Sequence, residues 1–309
     1  MDDRLKHISA PSENKMGKVT IADLNIEIDL MNHQFYYDRF QKYGNNGFEK
    51  NDLKISVSSC GKILIPEGGI IGQVKDTIIL RLEKDRYCRY LVDSQSREII
   101  QATFYNDTYS EVEIKLLNRV PETGLYLTEY EYMYTGFAFS DFLCLSGGAV
   151  LHGSLIAYEN QGIVFSANSG IGKSTHAGLW KKYFGNKVAI LNDDKPAIRF
   201  YQGVPYVFGT PWSGKSDLNE NKKVQLKSIV FIRRADTNRI EKLSARNSIF
   251  NLMSQISRPF YDENLGLKTM DTIDRLVQSI PIYQLYCNVS HEAVETAWKQ
   301  LRTEGVISK

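Results

Sequence analysis

The chain has 309 residues, 42% of them hydrophobic, and a formal net charge of +2. That is material for one large core or two domains, and so balanced a charge argues against a nucleic-acid or membrane-surface partner. Its four cysteines, Cys60, Cys88, Cys144 and Cys287, lie far apart without a CxxC pair, which points to neither a zinc site nor a disulfide framework.

Met1 to Lys15 is polar and reads as a loose tail, with Pro11, Ser12, Glu13 and Asn14 as breakers. It lacks the apolar stretch of a secretory signal, and no run reaches the roughly eighteen apolar residues of a membrane span; the expected compartment is the cytoplasm. From Ala22 to Leu30 apolar residues fall on alternate positions, the period of a half-buried strand. The same alternation recurs at Ile55 and Val57, Ile63 and Ile65, Ile78 to Leu82, Ile100 to Phe104 and Val112 to Leu116. A mostly antiparallel, β-rich N-terminal domain over 16–124 is therefore expected, closed by the break at Pro121 and Gly124.

Residues 125–309 read as a second domain. Leu125 to Leu145 is long, apolar and aromatic, which fits a helix packed in a core; its tyrosines read as core rather than as a stacking surface for bases. Val150 to Ile156 reads as a strand carrying His152, and a hairpin through Glu159 to Gly162 leads into the short apolar strand Ile163 to Phe165. Then Ala167, Asn168, Ser169, Gly170, Ile171, Gly172, Lys173 and Ser174 match the phosphate-loop pattern G-x-x-x-x-G-K-[ST] except at its first position, and Thr175 to Trp180 continues as a helix. Such a loop wraps backbone N–H groups around a triphosphate, with Lys173 on the outer phosphates and the Ser174 hydroxyl on magnesium. The helix start adds its positive dipole end.

Lys187 to Leu191 reads as a strand ending in Asn192, Asp193 and Asp194, carboxylates placed either to hold magnesium and accept a proton or to form a turn. Ala197 to Phe208 reads as a β-hairpin turning at Gln202 and Gly203, where a doubly wound sheet would place a crossover helix; a mixed sheet is expected. The loop Thr210, Pro211, Trp212, Ser213, Gly214, Lys215 reads either as a functional loop whose Lys215 reaches a phosphate or anionic acceptor, or as a turn in which Trp212 plugs the core. Ser228 to Ile232 is a strand ending in Arg233 and Arg234, either of which could face nucleotide phosphates or, as a paired basic turn, simply be solvated; helices at 245–256 and 267–280, a strand at 282–287 and a helix capped by Ser290 follow. His176 and His291 read as structural, and His7 and His33 carry no specific signal.

The order His152-Gly153, the loop Ala167 to Ser174, then Asn192-Asp193-Asp194 resembles the catalytic domain of HPr kinase/phosphorylase, a bacterial serine kinase whose nucleotide-binding core is shared with phosphoenolpyruvate carboxykinases. The resemblance covers roughly 125–209, and the Thr-Pro-Trp-Ser-Gly-Lys segment is closer to uncharacterised bacterial relatives of that domain. It implies an α/β, mixed-sheet, carboxykinase-like P-loop kinase domain using ATP and Mg2+. By the same resemblance Lys173 and Ser174 hold phosphates and metal, Asp193 is the base on an acceptor hydroxyl, Asp194 joins the metal site and His152 orients the first aspartate; the two aspartates could exchange roles. The acceptor is expected to be a serine on a protein or peptide. A small-molecule hydroxyl, or a nucleotide-binding module without transfer chemistry, are the alternatives. The HPr enzyme is a hexamer, so a homo-oligomer is a further expectation, although the N-terminal half here differs.

Overall fold

The computed structural model describes residues 15–31, 39–118, 127–257 and 262–308. Residues 1–14 of the expected tail, the break at 119–124, His7 and His33 lie outside the described residues, while Lys15, expected as the end of the tail, already belongs to a strand. The chain divides into two compact units, Met1–Phe142 and Leu143–Lys309.

In the first unit, β1 (Lys15–Ile21), β2 (Leu24–Leu30), β3 (Leu53–Cys60), β4 (Gly69–Val74), β5 (Thr77–Arg81), β6 (Arg86–Val92), β7 (Ile99–Asn106) and β8 (Glu111–Leu117) form one sheet. Its order is β1-β2-β3-β8-β7-β6-β5-β4. The alternation read from Ala22 begins at Leu24, because Ala22 and Asp23 have φ of 53° and 56° and form the tight turn between β1 and β2. Most pairs are antiparallel as expected, but β3 lies parallel to both β2 and β8. The chain between β2 and β3 is far longer than a hairpin, and that length is what a parallel pair needs. Ile63 and Ile65 are not in a strand: they lie in a loop with Pro66, which has no N–H for a ladder, although Ile63 is buried. The helix α1 (Leu127–Leu145) carries buried Tyr130, Tyr134 and Phe139, in keeping with core aromatics. Within the first unit, the buried Asp141 of α1 accepts a hydrogen bond from Arg89 of β6 at 2.6 Å.

The second unit is a mixed sheet with helices on both faces. Its strands are β9 (Ala149–Val150), β10 (Gly153–Tyr158), β11 (Gln161–Ser166), β12 (Val188–Asn192), β13 (Ala197–Tyr201), β14 (Val204–Phe208), β15 (Lys223–Arg234), β16 (Arg239–Lys242) and β17 (Ile282–Cys287). The order is β12-β10-β11-β15-β14-β13-β9, with β17 also pairing β15 and β16. Three strands, β11, β15 and β17, run parallel and share one carboxyl end. Side chains alternate across them: Ile163, Phe165, Val230, Ile232 and Leu285 face α2 (Lys173–Phe184) and α5 (His291–Thr303). Val164, Ile229, Phe231 and Ile282 face α3 (Ala245–Gln255) and α4 (Glu263–Ser279). Burial on both faces explains why these strands read as unbroken apolar runs.

The hairpin β13–β14 turns at Gln202 and Gly203, both at positive φ, at the residues expected from the sequence. The hairpin β10–β11 turns at Glu159 and Asn160, so β11 starts two residues earlier than the apolar run suggests. His152 is not within a strand. The chain changes partners there, from β13 beside β9 to β11 and β12 beside β10, and His152 occupies the bend between. Ser290 caps α5 through its hydroxyl, which accepts from the Ala293 N–H at 3.2 Å.

Candidate nucleotide and phosphotransfer site

Residues 167–172 join β11 to α2 at the shared carboxyl end of the parallel strands, where ligands bind in open α/β sheets. Gly170 and Gly172 have φ of 78° and 122°, conformations that side-chain-bearing residues rarely adopt, and a Cβ on either would meet only open space. The loop backbone therefore lies bare toward the site. Ala167, the departure from the motif, is buried at ordinary φ and costs the loop nothing in conformation. No side chain caps the start of α2, so its first N–H groups stay available for an anion.

Lys173 is buried at that helix start, and its ammonium donates to the carbonyls of Ala167 at 3.0 Å and Asn168 at 3.4 Å. Burial lowers its pKa from the ordinary value, while Asp194 and then Asp193 oppose the shift. Ser174 and Thr175 are exposed on the first turn.

The end of β12 supplies the acids. Asn192 is fully buried and acts as the brace: its side-chain oxygen accepts from the N–H groups of Asp194 and Lys195, and its amide donates to Thr210. This holds the two carboxylates on a fixed turn. Asp193 is 7% exposed, and one of its oxygens accepts the Ser154 hydroxyl at 2.6 Å. Asp194 is more open and faces the His152 ring, with Nε2 to Oδ1 at 3.4 Å. The histidine thus adjoins the second aspartate, not the first as the resemblance implied. The reason is the bend at His152, whose neighbour Gly153 donates its N–H to the Asp194 carbonyl.

Burial, then the Lys173 charge, push the His152 pKa below its usual value, against the pull of Asp194. The other ring nitrogen, Nδ1, lies 3.1 Å from the Gln255 side-chain oxygen, and the Gln255 amide donates to Asn168 at 2.8 Å. Gln255 therefore ties the histidine to the loop. Lys215 is exposed on a short 3-10 turn, and the preceding Gly214 packs against the Asp194 side chain. Thr210, Trp212 and Ser213 of the same loop are buried, so the loop is anchored in the core while its lysine faces solvent.

No protein-family model matches this sequence, and no curated protein matches it. Among solved structures, the HPr(Ser) kinase/phosphatase from Coxiella burnetii is similar at 8% identity, covering 51% of this chain and 96% of that chain with a TM-score of 0.30. A likeness that loose decides nothing about chemistry.

Three polar residues of the site carry no motif of their own. Ser154 and Gln255 look like ordinary strand and helix residues in the sequence, and only their partners reveal them. Arg234, read as solvated or as facing phosphates, holds the loop itself: its Nε donates to the Ile171 carbonyl at 3.1 Å and its Nη2 to the Gly170 carbonyl. The run Arg233-Arg234 at a strand end was the available signal. His176 is buried, stacked edge-on to Phe165, and accepts from the Trp180 indole at 3.1 Å, a packing role.

Among the described residues no three His, Cys, Asp or Glu side chains form a metal cage. Magnesium commonly takes one or two protein oxygens and fills the rest of its shell with phosphates and water. The Ser174 hydroxyl and the Asp194 carboxylate are hard oxygen donors of that kind, so the residues fit a nucleotide-borne magnesium.

Proposed function

We propose that this protein is an ATP-dependent phosphotransferase of the HPr-kinase type, moving the γ-phosphoryl group to a hydroxyl, with serine on a protein or peptide as the acceptor class. The observation that carries the reading is the meeting of a bare glycine loop and a buried lysine with two braced carboxylates and a histidine at one sheet end. Binding alone needs the loop and one metal ligand. A second carboxylate held by a serine hydroxyl is what transfer adds.

In this reading the loop N–H groups and Lys173 position the outer phosphates, and bound magnesium offsets their charge. Ser174 and Asp194 hold the metal, and His152, steadied by Gln255, orients Asp194. Asp193 accepts the proton of the acceptor hydroxyl; the Ser154 hydrogen bond fixes one of its oxygens and leaves the other for the substrate. Lys215, which follows the Gly214 that adjoins Asp194, meets the phosphoryl group or an anionic part of the acceptor.

The test is transfer from γ-labelled ATP into a serine-peptide pool and a metabolite pool, with nucleotide binding measured in parallel. Lys173→Ala is expected to lose both binding and transfer. Asp193→Asn is expected to keep nucleotide affinity and lose about 10²- to 10⁴-fold in turnover, the usual worth of a general base. Asp194→Asn is expected to raise the magnesium concentration needed for half-maximal transfer. Exchange of the two aspartate phenotypes would exchange their roles, and binding without labelling of either pool by the wild type would argue for a non-catalytic module.

A further inference from the structure

Apart from the phosphate loop and the acidic turn, the second unit holds a cavity of about 290 Å³, at the small end of the range for ligand sites. It is lined by Lys268, Asp271, Thr272, Asp274 and Arg275 of α4 and by Gly147 in the turn before β9. Positions 268, 271, 272 and 275 recur at helical spacing, so one stripe of α4 forms most of the wall. Gly147 adjoins that stripe at a φ of 75°, and a Cβ on it would lie 3.8 Å from Arg275 Nη1. The backbone of the turn thus passes the guanidinium with no side chain between them.

Thr272 is 1% exposed, and its hydroxyl has no hydrogen-bond partner among the described residues. Buried hydroxyls are nearly always satisfied, and a threonine inside a helix commonly bonds a carbonyl of the preceding turn, as Thr269 does to Leu265 at 2.7 Å. Thr272 forgoes that bond. It brings a donor and an acceptor to the cavity wall with nothing in the chain to meet them. The charges beside it are similarly uncommitted. The Arg275 guanidinium sits 3.9 Å from the centre of the Phe200 ring of β13, a cation–π contact that fixes its fork. Asp271 and Arg275 stand four apart, the spacing of a helical ion pair, yet among the described residues neither they nor Lys268 form one. Asp274 is occupied, accepting from the Gln278 amide at 2.6 Å. An arginine fork with a lysine nearby suits a carboxylate, whereas Asp271 repels a dianion and attracts an ammonium. A free α-amino acid carries both charges in a molecule small enough for this space.

We propose that this cavity is a second ligand site, for a free α-amino acid. Arg275 and Lys268 take its carboxylate, Asp271 takes its ammonium, and the Thr272 hydroxyl gains the partner it lacks. The inference is independent of the phosphotransferase reading, since no residue of the cavity belongs to the phosphate loop or to the turn of Asp193 and Asp194.

Each proteinogenic amino acid is offered to the full chain in saturation-transfer NMR, and those that bind are titrated beside the matching amine and carboxylic acid, which for L-alanine are ethylamine and propanoate. Wild type is expected to bind at least one amino acid about tenfold more tightly than either half-molecule, since each 1.4 kcal/mol of added ionic contact is worth that factor. By the same factor, Arg275→Gln and Asp271→Asn are each expected to weaken binding about tenfold. Thr272→Val removes the unsatisfied hydroxyl at similar volume, and is expected to weaken binding without lowering the urea midpoint. Mg·ATP affinity is expected to be the same in wild type and all three variants. No binding by any amino acid, a carboxylic acid that binds as tightly as its amino acid, or binding that survives all three substitutions overturns the site. Parallel loss of ATP and amino-acid binding in variants with wild-type urea midpoints also overturns it, because the two ligands would then share one place. Asp271 is exposed, so Asp271→Asn keeps the test on folded protein even if Arg275→Gln, which loses the Phe200 contact, does not.

Discussion

His152 shows how one side chain joins three parts of the site. It sits at the bend before β10, its ring lies between Asp194 and Gln255, and Gln255 in turn holds Asn168 of the loop. Groups that orient a metal-binding carboxylate commonly change metal affinity by about 10- to 100-fold. His152→Ala is therefore expected to raise the magnesium requirement for transfer and lower turnover while nucleotide affinity changes less; turnover and magnesium dependence both at wild-type values would return His152 to a packing role. His176 makes a separate prediction on stability. Its folded pKa of about 4 lies below its ordinary 6.5, so the unfolded chain binds the extra proton first on acidification. Stability from this group is fully present above pH 6.5 and is lost as pH falls toward 4, by about 2 kcal/mol on reaching pH 5. Urea titrations at pH 7.5 and pH 5 check it: His176→Gln is expected to lose less between the two than wild type does.

At the scale of elements, the turn that carries Asp193 and Asp194 depends on backbones that pass too close for side chains. Gly209 follows β14, and a Cβ there would meet the Glu220 carbonyl at 2.0 Å and the Leu191 carbonyl at 2.5 Å. Both are backbone atoms that cannot swing away. Gly209→Ala is expected to destabilise the second unit by about 3 kcal/mol, at the upper end of overpacking costs, and to weaken transfer by displacing the Asn192 and Thr210 brace. A urea midpoint equal to wild type would show that the 209–220 crossing relaxes. The elements around this crossing were legible in part. The hairpin β13–β14 could be read because Gln202-Gly203 sits between two alternating runs, and α5 because Ser290 precedes an amphipathic stretch. The loop 63–68 could not, since Ile63 buries as a strand residue would while Pro66 removes the ladder.

Each of the two units buries one group whose titration works on stability in the opposite sense to the other's. Burial raises Glu131 of the first unit to about 8 from its ordinary 4.5, opposed by the Met31 N–H and helped by Asp29. A folded carboxyl that holds its proton contributes stability below pH 4.5 and loses it as pH rises through 8. Titration of Glu131 is thus expected to weaken the first unit from pH 5 to pH 8, while His176 acts in the reverse sense in the second. All three tryptophans, Trp180, Trp212 and Trp298, lie in the second unit, so indole fluorescence follows that unit and hydrogen exchange of β2 follows the other. Parallel pH slopes for the two probes would remove the distinction. Among the described residues no helix is long and apolar enough to cross a membrane.

The phosphate loop, the Asp193-Asp194 strand end and most strands and helices of the second unit were determined by the sequence alone, because each is a local matter of glycine conformation, charge spacing and side-chain period. Tertiary structure decided what those motifs face. It turned His152 toward Asp194, gave Asp193 to Ser154, set Gln255 between histidine and loop, and brought Arg234 onto the loop carbonyls. Those pairs are separated by 39 to 103 positions in the chain. No local pattern encodes such distances; they follow from the order in which parallel and antiparallel strands take their places in one sheet.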